Sequence, residues 1–166
     1  MVYIVNEPSS SVRRATEDDI REVDEIYKVT FLSRTKPNYQ IFLENRNCLF
    51  YVATINDKIA GFIIAIVEGE VGHILLLAVH PNFRRRGLGT ALLEHTLSEL
   101  KRRGVKKVYL EVGTSNIPAI NLYKKLGFKI KDLRFDHFMS IEGNVDDVYV
   151  MEKNLEENAH EDNIKR

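Results

Sequence analysis

The feature that most narrows the fold of this chain is a change of pattern just after Val79. From Cys48 onward the apolar residues come in β-type runs: Leu49–Thr54, Lys58–Val67 and Val71–Val79. Asn56-Asp57 joins the first two, a hairpin signal, and Glu68-Gly69-Glu70 turns the chain into the third. Connections this short make the three runs antiparallel neighbours. Beyond Val79 the period alternates. A helix over Gly87–Arg103 stops at Gly104, and a strand covers Lys106–Val112. A second helix over Ile117–Leu126 stops at Gly127, and strands follow at Phe128–Phe135 and Asp147–Lys153. A meander followed by a β-α-β-α stretch predicts a mixed α/β sheet.

Ahead of the meander lie a short strand, Val12–Arg14, and a helix start at Thr16-Glu17-Asp18-Asp19. There Thr16 supplies the cap and the acids suit the positive end of the helix dipole. Ile20, Val23, Ile26, Tyr27 and Phe31 then recur at helical spacing, Pro37 interrupts, and a second short helix covers Tyr39–Asn45. The expected organisation is a loose arm at 1–11, one domain at 12–153 and a polar tail at 154–166, a length that suits a single core.

Formal net charge is zero at a pI near 7.0. No global field therefore draws the chain to nucleic acid or membrane, and anion binding has to come from local clusters. Cys48 is alone and has no internal disulfide partner, which fits a reducing compartment. Residues 1–11 lack a signal-peptide pattern, and no apolar run reaches the roughly 20 residues that span a bilayer. The expectation is a cytoplasmic protein without a metal site; oligomeric state is left open.

The segment His80-Pro81-Asn82-Phe83-Arg84-Arg85-Arg86-Gly87-Leu88-Gly89-Thr90 joins an apolar strand to an amphipathic helix. A helix N-terminus offers unpaired N–H groups and about half a positive charge, glycines admit a close ligand, and arginines add bidentate charge. The ligand this suits carries a pyrophosphate. It is not a P-loop, because no lysine follows Gly89, and Leu92 stands where a dinucleotide fingerprint needs its third glycine. Alone, the turn also reads as an ordinary helix start with solvated arginines.

Its company says more. Arg84-x-x-Gly87-x-Gly89, the strand Val108-Tyr-Leu-Glu-Val112, and Asn116-x-x-Ala119-x-x-Leu122-Tyr123-x-x-x-Gly127-Phe128 together resemble the GNAT superfamily of N-acetyltransferases. Leu110-Glu111-Val112, Ser115-Asn116 and Leu122-Tyr123 resemble its RimI-like and archaeal protein N-terminal acetyltransferases. The resemblance covers about residues 12–153. It implies a central mixed, mostly antiparallel sheet flanked by helices, with strands splayed after Val79 and Val112 at the acetyl-CoA slot. It also implies that Leu77, Ala78 and Val79 run along the pantetheine arm. Backbone amides from Arg85, Arg86, Gly87, Leu88, Gly89 and Thr90 would hold the pyrophosphate beside Arg84, and Asn116 and Tyr123 would meet the cofactor near its sulfur.

The implied activity is direct transfer of acetyl from acetyl-CoA to the α-amino group of protein or peptide N-termini. An α-amine near pKa 8 costs only about 1.4 kcal/mol to free at pH 7, against about 4.6 kcal/mol for a lysine, so a modest base suffices. Glu111 is that candidate. It shares strand parity with Tyr109, opposite Val108, Leu110 and Val112, and burial or a water relay has to help it. An ordinary solvent-facing glutamate is the plain alternative. Tyr123 is the candidate acid toward the leaving thiolate, against a core tyrosine. His73 is a second candidate base, on the side taken to hold Leu75, Leu77 and Val79, and a backbone N–H near Val79 would meet the oxyanion.

The acceptor side departs from the family. Relatives usually carry a glutamate just before an Asn-Tyr or Pro-Tyr stretch of the first inter-helix loop. This chain reads Phe31-Leu32-Ser33-Arg34-Thr35-Lys36-Pro37-Asn38-Tyr39, and it has His137-Phe138 where adjacent tyrosines often hold the peptide. Asn38, Tyr39 and His137 are the remaining candidates for substrate contact. Two rival readings keep the pocket: a small-molecule amine acetyltransferase, and a CoA-binding module without turnover.

Overall fold

The computed structural model describes residues 10–31, 36–139 and 145–156. In chain order these form β1 (Ser10–Arg14), α1 (Ile20–Phe31), α2 (Tyr39–Glu44), β2 (Cys48–Ile55), β3 (Lys58–Glu68) and β4 (Val71–Val79). Then come α3 (Leu88–Arg102), β5 (Lys107–Gly113), α4 (Ile117–Lys125), β6 (Lys129–Met139) and β7 (Val145–Asn154). Short 3-10 turns at Glu17–Asp19 and Pro81–Phe83 lead toward α1 and α3. The strands make one sheet in the order β1-β2-β3-β4-β5-β7-β6. Every neighbouring pair is antiparallel except β4 with β5. This is the expected mixed, mostly antiparallel sheet, and its expected antiparallel meander is β2-β3-β4.

Helices cover both faces, which is why β2 is buried along its whole length rather than alternating. On one face α3 and α4 bring Leu92, Leu93, Leu97, Leu100 and Ile120 against Ile63, Ala65, Val108 and Leu110. On the other, α1 and α2 set Val23, Ile26 and Tyr39 against Phe50, Val52, Phe62 and Ile64. The hairpin residues Asn56 and Asp57 have φ of 51° and 65°, the left-handed pair a two-residue hairpin requires.

Several boundaries differ from expectation. Ser10 and Ser11 pair with Ile55 and Thr54, so the sheet begins inside the expected arm. Leu155, placed in the tail, is buried against the α3-side core and its N–H bonds the Lys106 carbonyl at 2.8 Å. β6 extends to Met139, past the expected end at Phe135. Residues 1–9 and 157–166, from the arm and the tail, lie outside the described residues. Among those described, no helix is long and apolar enough to cross a membrane.

The parallel contact is brief. β4 and β5 pair from Val71↔Lys107 to Ile74↔Leu110 and no further. Opposite the next residue the β3–β4 register slips, from Ala65↔Ile74 to Ile64↔Leu76, leaving Leu75 as an extra residue in β4. Such a bulge bends a strand and steepens its twist, and here it coincides with the point where β4 leaves β5. The fork thus opens after Ile74 and Leu110, earlier than the expected Val79 and Val112.

The bulge also reverses side-chain parity. Gly72 and Ile74 face the α3 side ahead of it, and Leu77 and Val79 after it. His73 therefore shares its face with Leu76 and Ala78, not with Leu77 and Val79 as strict alternation predicts.

Candidate active site

Two clefts are lined by successive stretches of β4, Leu77–Val79 and His73–Leu75. The first, about 670 Å³, is lined by Leu77, Ala78 and Val79, by Phe83, Arg84, Arg85 and Gly87–Thr90, and by Asn116, Ala119, Leu122 and Tyr123. The backbone beneath it is shaped for an anion. Arg85 and Gly87 have φ of 64° and 79°, so left-handed residues alternate through the turn and its amides become concave. Gly87 caps α3 from outside rather than beginning it, as the sequence suggested. The first helical bond runs from Ala91 N–H to the Gly87 carbonyl. The amides of Leu88, Gly89 and Thr90 thus precede any partner within the helix and lie at its positive end.

The arginines divide their work. Arg84 lines the cleft, and its Nε donates to the Val79 carbonyl at 3.1 Å, closing the turn onto β4. The Arg86 guanidinium stands over the Phe83 ring at 5.5 Å and contributes no side chain to the cleft lining. Gly89 has a packing reason to be glycine: a Cβ there would lie 3.3 Å from Leu122 Cδ2 of α4.

β4 also turns main chain toward this cleft, where Arg84 takes the Val79 carbonyl. His80 N–H bonds the Ala60 carbonyl of β3, so by alternation the main-chain groups of Val79 and Leu77 face away from β3. That is the side β5 has left. An extended amide-bearing arm can lie there as an added strand. Thr30 Oγ1 is buried at this cleft without a hydrogen-bond partner, an orphan hydroxyl that a polar ligand would satisfy. Helix-start amides, exposed strand main chain and an orphan hydroxyl together fit a pyrophosphate-linked pantetheine.

α4 supplies Asn116 and Tyr123. Asn116 caps the helix, its Oδ1 accepting from Ala119 N–H at 3.3 Å. The turn before it is clasped by Asp146, which accepts from Thr114 Oγ1 at 2.9 Å and Ser115 Oγ at 2.7 Å. Tyr123 is buried, its ring 5.9 Å from that of Phe128, and burial pushes its phenol up to about 12.

The second cleft, about 580 Å³, is lined by His73, Leu75, Tyr109, Glu111, Lys131, Asp132 and Arg134. Glu111 follows the last β4–β5 pair and stands at the fork. Its carboxylate is 58% exposed and accepts from Arg134 Nη1 at 2.8 Å. His73 stacks on Tyr109 at 5.9 Å, and Lys131 Nζ lies 3.3 Å from the Tyr109 hydroxyl and 3.4 Å from Glu152. Sequence reading missed Lys131, Asp132 and Arg134. Lys131 is the extra residue of a second bulge, where Ile130↔Met151 jumps to Asp132↔Val150, which strict alternation hides, and Arg134 follows in register opposite Val148.

The substrate candidates fare unevenly. Tyr39 is buried in the α1-side core and donates its hydroxyl to Asp24 at 2.9 Å, so it lines neither cleft. Asn38 is exposed ahead of α2. His137 falls in β6 at a register break between Arg134 and Phe138, and its side chain lies outside what is described. Leu32, Ser33, Arg34 and Thr35 of the inter-helix loop also lie outside the described residues.

Known proteins share this chain's sequence pattern and fold. The chain is 35% identical over 151 residues to an N-alpha-acetyltransferase of Sulfurisphaera tokodaii, spanning 80% of this chain and 87% of that one. Its fold matches the crystal structure of the Escherichia coli ribosomal-protein-S18-alanine N-acetyltransferase with a TM-score of 0.80, at 29% identity over 88% of this chain and 94% of that one. Arabidopsis thaliana Naa50, in complex with the bisubstrate analogue CoA-Ac-MVNAL, matches with a TM-score of 0.77 at 27% identity, over 89% and 99% of the two chains. Residues 18–128 match the acetyltransferase (GNAT) family, and with the forked sheet and the glycine turn in place the chain belongs to it.

Proposed function

We propose that this acetyltransferase transfers acetyl from acetyl-CoA to the free α-amino group of protein or peptide N-termini. The observation that carries the reading is the fork between β4 and β5: a cleft suited to pantetheine is lined by Leu77–Val79 of β4, and a charged cleft that includes Glu111 is lined by His73–Leu75 of the same strand. Relatives whose names specify N-alpha or N-terminal alanine acetylation support the choice of acceptor. When bound, acetyl-CoA supplies an activated thioester; the rest falls to this chain's residues.

The amides from Arg85 to Thr90 and the Arg84 side chain would hold the pyrophosphate, while Leu77, Ala78 and Val79 would align the arm. The Val79 N–H, facing the side β5 has left, donates to the carbonyl oxygen as it gains charge. Glu111, exposed and paired with Arg134, first pairs with the incoming ammonium and then takes its proton by a water relay. His73, on the same face of the sheet, is the second group able to accept it. Tyr123 Oη donates toward the departing sulfur, and Asn116 holds the start of α4 so that this hydroxyl is presented.

A thiol-release assay with short peptides tests the reading. Free N-termini should support release, and matched N-acetylated peptides lacking lysine should not. Equal rates with the blocked peptides would remove the α-amine assignment. Polyamines outrunning every peptide would favour a small-molecule acceptor.

A further inference from the structure

The charged cleft holds two cations, Lys131 and Arg134, and two carboxylates, Glu111 and Asp132. Lys131 is committed to Glu152 and to the Tyr109 hydroxyl, and Asp132 Oδ1 accepts from the Leu133 N–H at 2.8 Å. Arg134 is paired with Glu111, the carboxylate that the proposed function assigns to the acceptor amine. Two cations therefore compete for one carboxylate. An ammonium approaching Glu111 must displace the guanidinium or share its oxygens. The displaced guanidinium, with its planar fork of donors, remains beside the acceptor and lacks an anion.

An acceptor that brings its own carboxylate resolves this. Its ammonium takes the place of Arg134 on Glu111, and its acidic side chain, one residue or about 3.8 Å of chain along, takes the place of Glu111 on Arg134. The four charges then alternate, and the cleft, with its cations and carboxylates matched, gains no net charge. An acceptor with a basic residue there instead sets a third cation beside Arg134 and Lys131. From this partner exchange we propose that Arg134 is a specificity-determining residue, selecting acceptor N-termini with an acidic residue at the second position. The inference rests on α-amine acetylation at this site.

The test compares kcat/KM for peptides identical except at the second residue, Ser-Glu, Ser-Gln and Ser-Lys, with wild-type chain, Arg134→Gln and Arg134→Glu. A half-exposed charge contact is worth about 1 kcal/mol or less, so replacing attraction by repulsion spans about tenfold. Wild type should prefer Ser-Glu over Ser-Lys by about that factor. Arg134→Gln should bring the two within about twofold, and Arg134→Glu should invert the order. A merely structural arginine would lower all three peptides together in the variants, and parallel losses overturn the inference. Equal rates for the three peptides in wild type overturn it as well, while leaving α-amine acetylation standing. Absence of turnover with every free peptide removes the proposed function and this inference with it.

Discussion

Replacing Tyr123 by phenylalanine separates two roles that its burial had left entangled. At its ordinary value near 10, a phenol protonates a thiolate of pKa about 8.5 at a cost of about 2 kcal/mol. In this fold the phenol is pushed up to about 12, which raises the cost to about 5 kcal/mol. Complete transfer ahead of bond cleavage is therefore the dearer course. A hydrogen bond from neutral Oη to sulfur as charge develops is worth about 1.5–3 kcal/mol. Tyr123→Phe should thus lower kcat by about ten- to a hundredfold, well short of the roughly 10⁴-fold that the largest acid–base contributions reach.

KM for acetyl-CoA should move little, and the ring contact with Phe128 should keep the thermal midpoint close to wild type. The assay is steady-state thiol release between pH 6 and 10, with a thermal melt on the same samples. Because the phenol is raised, it stays protonated through that range, and no alkaline decline in kcat should disappear in the variant. A loss below about twofold with an unchanged melt would make Tyr123 a core residue only. A loss near 10⁴-fold would refute the hydrogen-bond estimate and restore full proton transfer.

Gly61→Ala should disturb the cofactor cleft from behind: the new Cβ would sit 2.8 Å from the Ala78 carbonyl oxygen on the strand lining that cleft. The expected cost is about 1–3 kcal/mol in urea unfolding, with acetyl-CoA affinity weakened in a direct binding titration. At acid pH, Glu99 is held down to about 2, chiefly by the Arg102 hydrogen bond and then by Arg103. Its stabilising contribution is complete above its unfolded value near 4.3 and is lost as pH falls toward 2. Urea unfolding from pH 5 to pH 2 should therefore show a shallower decline for Glu99→Gln than for wild type. Equal slopes would show that these contacts do not persist in solution.

Much of this molecule was legible in local pattern. The meander, the Asn56-Asp57 hairpin, the two later helices and the glycine turn all depend on neighbours a few residues away, where propensity and period act directly. The parity of Glu111 within β5 was legible for the same reason, since β5 keeps an unbroken ladder with β7 from Lys107 to Gly113. Local pattern misplaced His73 because one extra residue, Leu75, reverses the strand's faces, and strict alternation has no means of marking a bulge. Tyr39 misled differently. Its motif position suggested a substrate contact, whereas its burial and its bond to Asp24 arise from packing between α1, α2 and the sheet.

The chain's order of residues thus determined which elements form, where the glycine turn lies and which face of β5 carries Glu111. Tertiary contact decided where β4 and β5 part, that Arg134 pairs with Glu111, and that Arg86 stacks on Phe83 while Arg84 closes the turn onto Val79. The division has a physical cause. Helix and strand periods, caps and tight turns are set by interactions within a few residues, whereas fork position, ion pairing and burial depend on groups such as Glu111 and Arg134, 23 positions apart in sequence.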